Sequence, residues 1–240
     1  MSTLARRAAA EFTGTAFLVM AVVGSGVMAS RLSPDDVGLQ LLQNSLATGA
    51  ALVALIVALQ PVSASFNPVV TLVERVLGVL DTRTAAGLIA AQFAGGLAGS
   101  VLANLMFGLD AVTFSAHERT GAGLWLGEVV ATAGLLVIVF GTLRSGRADR
   151  VAFAVGGYIT AAYWFTSSTS FANPAVTAAR TITDTFAGIA PASAPAFILA
   201  QLLGGAAGFV LVRALYPAPA ALEPALEPGN EYPLAKDQSR

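Results

Sequence analysis

The sequence predicts an all-α membrane protein, with six transmembrane helices and two re-entrant half-helices related by an inverted internal repeat. Three observations carry that prediction. Hydrophobic residues make up 55% of the 240 positions and charged residues 11%, with a mean hydropathy of +0.72, so the bilayer rather than water is the solvent. Six apolar stretches each approach the roughly 20 residues that cross a ~30 Å hydrocarbon core. Asn-Pro occurs twice in matching settings, in Ser63-Ala64-Ser65-Phe66-Asn67-Pro68-Val69-Val70-Thr71 and in Thr169-Ser170-Phe171-Ala172-Asn173-Pro174-Ala175-Val176-Thr177.

Taken in order, the first span covers about 8–30. Arg6 and Arg7 ahead of an apolar run resemble the start of a signal peptide, but the run continues to about Ala29 without a clear cleavage site and reads as a membrane helix. The second span covers about 40–59. A shorter apolar piece at 68–78 follows, opened by Asn67-Pro68 and too short to cross. Proline at the first helical position lacks the N–H that would be orphaned there, and asparagine before it caps the next free amides, so this piece is a half-helix. Spans at about 84–106, 123–143 and 151–168 come next, then a second half-helix at 174–183 opened by Asn173-Pro174, then the last span at 193–215. Irregular backbone at membrane depth is tolerated only where protein buries it or where it lines a water-filled cavity. After Pro217 the chain is rich in Pro, Ala and Glu, a composition that packs no core and predicts a disordered cytoplasmic tail over 217–240.

The arginines set the orientation. Arg6, Arg7, Arg75, Arg83, Arg144, Arg147, Arg150 and Arg213 fall on one side of a six-helix weave, and only Arg31, Arg119 and Arg180 on the other. The positive-inside rule then puts both termini in the cytoplasm, with the protein in the cell (inner) membrane. Three spans per half force the halves into opposite orientation. Ala91-Gln92-Phe93-Ala94-Gly95-Gly96-Leu97-Ala98-Gly99 matches Ala200-Gln201-Leu202-Leu203-Gly204-Gly205-Ala206-Ala207-Gly208, and Glu11 in the first span mirrors Glu128 in the fourth. The duplicated units are 1–110 and 111–216, and their half-helices enter from opposite faces with both amino ends at the centre. The Gly-x-x-x-Gly spacings within the matched segments permit close helix crossing.

Several functions are excluded. A net charge of −1 without a basic patch gives no nucleic-acid partner. No cysteine and a single histidine leave neither disulfides nor the usual zinc site, and no cofactor motif is present. The His-Glu-x-x-His and Gly-x-Ser-x-Gly signatures of an intramembrane enzyme are missing. His117, beside Glu118 and Arg119, reads as a solvated loop residue; Trp125 and Trp164 read as interfacial or packing aromatics, Trp164 also as a candidate for the pore wall.

The paired Asn-Pro half-helices, the six spans, the duplication and the matching glutamates resemble the major intrinsic protein family of aquaporins and glycerol facilitators over about residues 8–216. The resemblance implies a homotetramer in the lipid bilayer, each protomer passing small neutral solutes without a cofactor. Two half-helix amino ends would place roughly half an elementary charge each at the pore centre, which repels cations and protons. Asn67, Pro68 and Val69 with Asn173, Pro174 and Ala175 would form the central constriction, the two asparagine amides donating to an oxygen in transit while capping their helices.

The chain departs from the family pattern at the outer filter. The second motif in most members reads Asn-Pro-Ala-Arg; here Val176 stands in the arginine's place, and Val69 stands where the first motif usually has Ala. The other filter positions carry over to Ala47 or its neighbour Thr48, to Ala161, and to Ser170. Small residues there imply a constriction wider and less charged than in water or glycerol channels. Arg180, four residues past Val176, shares its helix face; it either supplies a displaced pore charge or anchors the following loop at the surface. The string from Asn173 to Thr181 resembles the family branch encoded in bacterial arsenic-resistance clusters, which implies passage of undissociated arsenite beside glycerol and water. Glu11 and Glu128 have two readings: a proton relay, which would make the protein a secondary transporter, or acceptors for the amides of the re-entrant loops, as the family's matching glutamates are. A strictly water-selective channel is the remaining alternative.

Overall fold

The computed structural model describes residues 3–216; the tail expected over 217–240 lies outside the described residues. Among the described residues there are eight α-helices: α1 (Thr3–Leu32), α2 (Val37–Leu59), α3 (Pro68–Val76), α4 (Thr82–Met106), α5 (Ala122–Arg144), α6 (Val151–Phe165), α7 (Pro174–Ala179) and α8 (Ala194–Leu215). Short 3-10 turns precede α6 at Ala148–Arg150 and follow α7 at Arg180–Ile182.

Among the described residues, five helices, α1, α2, α4, α5 and α8, are long and apolar enough to cross a membrane. The expected fifth span is the exception. At 15 residues, α6 rises about 22 Å, and it ends at Phe165 rather than at 168. Beyond it the chain leaves helical geometry, with Thr169 and Ser170 at positive φ (62° and 52°). The 3-10 turn at one end and this irregular segment at the other make up the missing length. The half-helices are also shorter than expected: α3 stops at Val76, and α7 stops at Ala179, where Arg180 becomes its cap.

The helix ends gather on two faces. On the terminal face lie the starts of α1, α4 and α6 and the ends of α2, α5 and α8: Gln60 Nε2 donates to the Ala148 carbonyl, and the Arg144 guanidinium donates to the Tyr216 carbonyl. On the distal face Arg31 donates to the Phe107 carbonyl (2.6 Å), joining the ends of α1 and α4, and the Arg119 amide donates to Ser193 Oγ (3.1 Å), joining the approaches to α5 and α8. Asp81 caps α4; the Thr84 hydroxyl and amide hold its carboxylate below the usual range, so it stays charged at the helix's positive end.

The duplication is visible in how the long helices cross. A Cβ on Gly95 would lie 2.2 Å from the Phe12 carbonyl oxygen, and one on Gly99 2.4 Å from that of Ala16. In the second half, a Cβ on Gly204 would lie 2.5 Å from the Val129 oxygen and one on Gly208 2.8 Å from that of Ala133. Both pairs, α1 with α4 and α5 with α8, therefore approach backbone to backbone, which only glycine allows. Between them α3 and α7 point inward from opposite faces, and their amino ends meet.

Candidate functional site

Each half-helix is built the same way. Asn67 is the N-cap of α3, its Oδ1 accepting the Val69 amide at 2.9 Å; Asn173 is the N-cap of α7, accepting the Ala175 and Val176 amides at 3.0 and 3.2 Å. The opposite ends of the two side chains tie the halves together: Asn67 Nδ2 donates to the Ala172 carbonyl and Asn173 Nδ2 to the Phe66 carbonyl, both at 2.7 Å. Each amide thus uses its acceptor and one N–H for structure, and its second N–H remains for the cavity that both asparagines line.

The residues before the asparagines are strained. Phe66 and Ala172 hold φ of 47° and 48°, left-handed conformations that cost about 1–3 kcal/mol apiece outside glycine. The buried glutamates offset that cost. Glu11 accepts the Ser65 amide (2.9 Å), the Phe66 amide (2.7 Å), Ser63 Oγ (2.6 Å) and Gln92 Nε2 (2.8 Å). Glu128 accepts the Phe171 and Ala172 amides, both at 2.9 Å, and Gln201 Nε2 at 2.6 Å. Gln92 and Gln201 also donate to Thr71 Oγ1 and Thr177 Oγ1, which binds each half-helix to the same network. Neither glutamate lines the cavity.

A cavity of about 130 Å³ runs past both amino ends, from Gln60, Val79 and Val151 near the terminal face to Thr48, Tyr163 and Arg180 near the distal face. Not every residue expected at the pore reaches it. Asn67 and Asn173 line it; Pro68, Val69, Pro174 and Ala175 are buried behind it. The third motif positions face the long helices instead: a Cβ on Gly205 would lie 2.5 Å from Val69 Cγ1, and one on Gly96 3.2 Å from the Ala175 carbonyl oxygen. The glycine at 205 leaves room for valine where the usual motif has alanine.

At the outer end Thr48, not Ala47, faces the cavity, together with Ser170 and Val176. Ala161 is exposed on the outside of α6, and Tyr163 occupies the pore side, its hydroxyl 3.2 Å from Thr48 Oγ1. Trp164 is also turned out, half-exposed, with Nε1 donating to Ser45 Oγ at 3.1 Å. Arg180 is buried (3% exposed) and lines the cavity, and it holds the following loop from the interior rather than at the surface. Its guanidinium lies over the Phe171 ring, Cζ 3.4 Å from the centroid, and Nε donates to the Ala187 carbonyl. His117 sits on the distal loop with Nε2 4.0 Å from Asp184 Oδ1, both partly exposed.

Tyr163 and Glu74 are pore-lining residues that the sequence did not single out. Tyr163 lies two positions past Ala161, and only the rotation of α6 selects between them. Glu74 stands seven residues after Asn67, as Arg180 stands seven after Asn173, and that equal spacing was a signal available in the repeat.

Five helices long enough to cross a membrane, the shorter α6, and two half-helices whose Asn-Pro caps meet beside one cavity define a membrane channel of the major intrinsic protein type. The major intrinsic protein profile matches residues 1–151, and the chain belongs to that family, whose members are channels rather than enzymes. The chain is 50% identical over 211 residues to the aquaglyceroporin AqpS of Rhizobium meliloti (strain 1021), covering 88% of this chain and 90% of that one. It also shares its fold with the crystal structure of the aquaglyceroporin from Plasmodium falciparum, at a TM-score of 0.64 and 16% identity over 89% of this chain and 95% of that one.

Proposed function

We propose that the protein is a passive channel for small neutral polyhydroxy solutes, carrying glycerol-like polyols and undissociated arsenite-type hydroxides together with water. The observation that carries this reading is the outer constriction. Val176 presents an apolar side chain, while the cation beside it, Arg180, is drawn back onto Phe171 and the Ala187 carbonyl. Thr48 and Tyr163 add hydroxyls at the same end. A solute with several hydroxyls finds donors and acceptors along a mostly apolar wall, and the Arg180 cation that borders this end is held against Phe171 and the Ala187 carbonyl. The likeness to AqpS supports the polyol class.

The transporter reading finds no support in the site. All carboxylate oxygens of Glu11 and Glu128 accept protein donors, so a proton there would break the bonds that hold the strained loops. We place the terminal face in the cytoplasm, on the positive-inside rule, with the protein in the cell membrane as a homotetramer whose repeats are 1–110 and 111–216.

Stopped-flow light scattering on proteoliposomes tests the proposal, comparing water, glycerol and arsenite with and without a pH gradient. Solute flux should follow its own gradient and ignore pH. Water flux alone, or saturable flux driven by pH, would overturn the reading. Val176→Arg should raise the barrier to glycerol and arsenite by about 1.4 kcal/mol, roughly tenfold in permeability, with a smaller effect on water. Equal loss of all three would mark a folding defect, and no loss would put Val176 outside the constriction.

A further inference from the structure

The cavity has a second polar centre, on the terminal-face side of the asparagine pair. Glu74, near the end of α3, is buried (7% exposed) and lines the cavity with Ser65 and Gln60. One of its oxygens, Oε2, accepts Ser65 Oγ at 3.0 Å. The other, Oε1, accepts no hydrogen bond from any described residue and is not sealed in the protein interior. No ion pair to Glu74 forms among the described residues. The cavity wall on this side is otherwise largely apolar and includes Val79, Phe140 and Val151.

A buried carboxylate is expensive unless its oxygens are satisfied. Here one oxygen is satisfied by the protein and the other is left to whatever occupies the pore. Ser65 ties the group in place, since its hydroxyl donates to Glu74 while its amide donates to Glu11. The charges facing Glu74 from α1 are Glu11 and Arg7. The result is a fixed acceptor set in a largely apolar stretch of wall. That matches a small molecule that carries hydroxyl donors on an otherwise C–H surface.

We propose that Glu74, oriented by Ser65, forms a binding site for neutral polyhydroxy solutes on the terminal-face side of the asparagine pair. The site rests on the reading of the protein as a neutral-solute channel. It acts as a staging point: an incoming solute trades part of its hydration for a hydrogen bond to Glu74 Oε1, then passes to the free N–H groups of Asn67 and Asn173. Conduction needs binding that is favourable enough to enter and weak enough to leave, and a single open acceptor meets both conditions.

The test uses the full chain in proteoliposomes, with glycerol and water permeability measured on the same preparations of wild type, Glu74→Leu and Glu74→Gln. Loss of one hydrogen bond to solute predicts a glycerol-to-water permeability ratio about five-fold lower in Glu74→Leu, and Glu74→Gln, which keeps a carbonyl acceptor, should fall between it and wild type. Unchanged ratios in both variants, with wild type conducting glycerol, would overturn the site while leaving the channel reading intact. A wild type that conducts water but not glycerol would overturn the channel reading and the site with it. If Glu74→Leu does not fold, the Glu74→Gln ratio decides: equal to wild type overturns the site, lower supports it.

Discussion

The two re-entrant units repeat their scaffolding position for position, yet differ in what they present to the pore. In both, an asparagine caps the half-helix and donates across to the other unit's backbone, a glutamate from the first long helix of the half (α1 or α5) accepts two consecutive loop amides, and a glutamine bridges that glutamate to a threonine on the half-helix. The lumen-facing residues seven positions on are Glu74 in one unit and Arg180 in the other. The packing behind the loops is exchanged as well. Phe66 sits over Gly14, where a Cβ would fall 1.9 Å from the ring, whereas Ala172 takes the matching place in the second unit with Ala131 on the facing helix. Backbone support is held constant because two strained turns need the same acceptors; the pore-facing positions are free to diverge because each mouth meets the solute separately.

The comparison is broken most severely at the glutamates. Glu128→Leu should leave the amides of Phe171 and Ala172 unpaired in the interior, cost on the order of 3–5 kcal/mol and abolish permeation. Glu11→Leu should do the same. Thermal unfolding in detergent with flux assays checks both, and a variant that kept its stability would show the two supports to be unequal.

A smaller effect sharpens the exchange of volumes. Gly14→Ala should cost about 1–3 kcal/mol through its clash with Phe66. Adding Phe66→Ala, which copies the small pair of the second unit, should return part of that loss. A double-mutant cycle on unfolding midpoints reads the coupling, and additive losses would show that the two sites pack independently.

The mildest change concerns the distal mouth. Arg180→Lys keeps the charge but cannot lie flat on Phe171, and should cost about 1–2 kcal/mol. Released from Phe171, the shorter cation would extend into the lumen, so glycerol permeability should fall while stability drops only slightly. An unchanged midpoint and unchanged flux would mean that the stacking does not govern the constriction.

Much of this architecture was legible in advance because its signals are local. Hydropathy marked the long helices, and each Asn-Pro dipeptide marked a cap and an amino end. The pairing of Glu11 with Glu128 and of Gln92 with Gln201 followed from the internal match. The constriction was less legible. Ala47 and Thr48 are neighbours, Tyr163 lies two positions past Ala161, and one helical step turns a side chain by about 100°. Which one meets the lumen depends on how α2 and α6 rotate against each other, and sequence spacing cannot measure that.

By itself, then, the sequence determined the solvent, the duplication and the inward-pointing caps, since composition, periodicity and capping chemistry act within a few residues. The tertiary structure decided that α6 ends early at Phe165, that Tyr163 rather than Ala161 faces Thr48, that Arg180 folds back onto Phe171, and that Glu74 opens on the lumen. The Thr48–Tyr163 contact joins residues 115 positions apart, and whether Arg180 and Glu74 border the lumen depends on the helices that enclose it, so these features exist only once the two halves have closed around the pore.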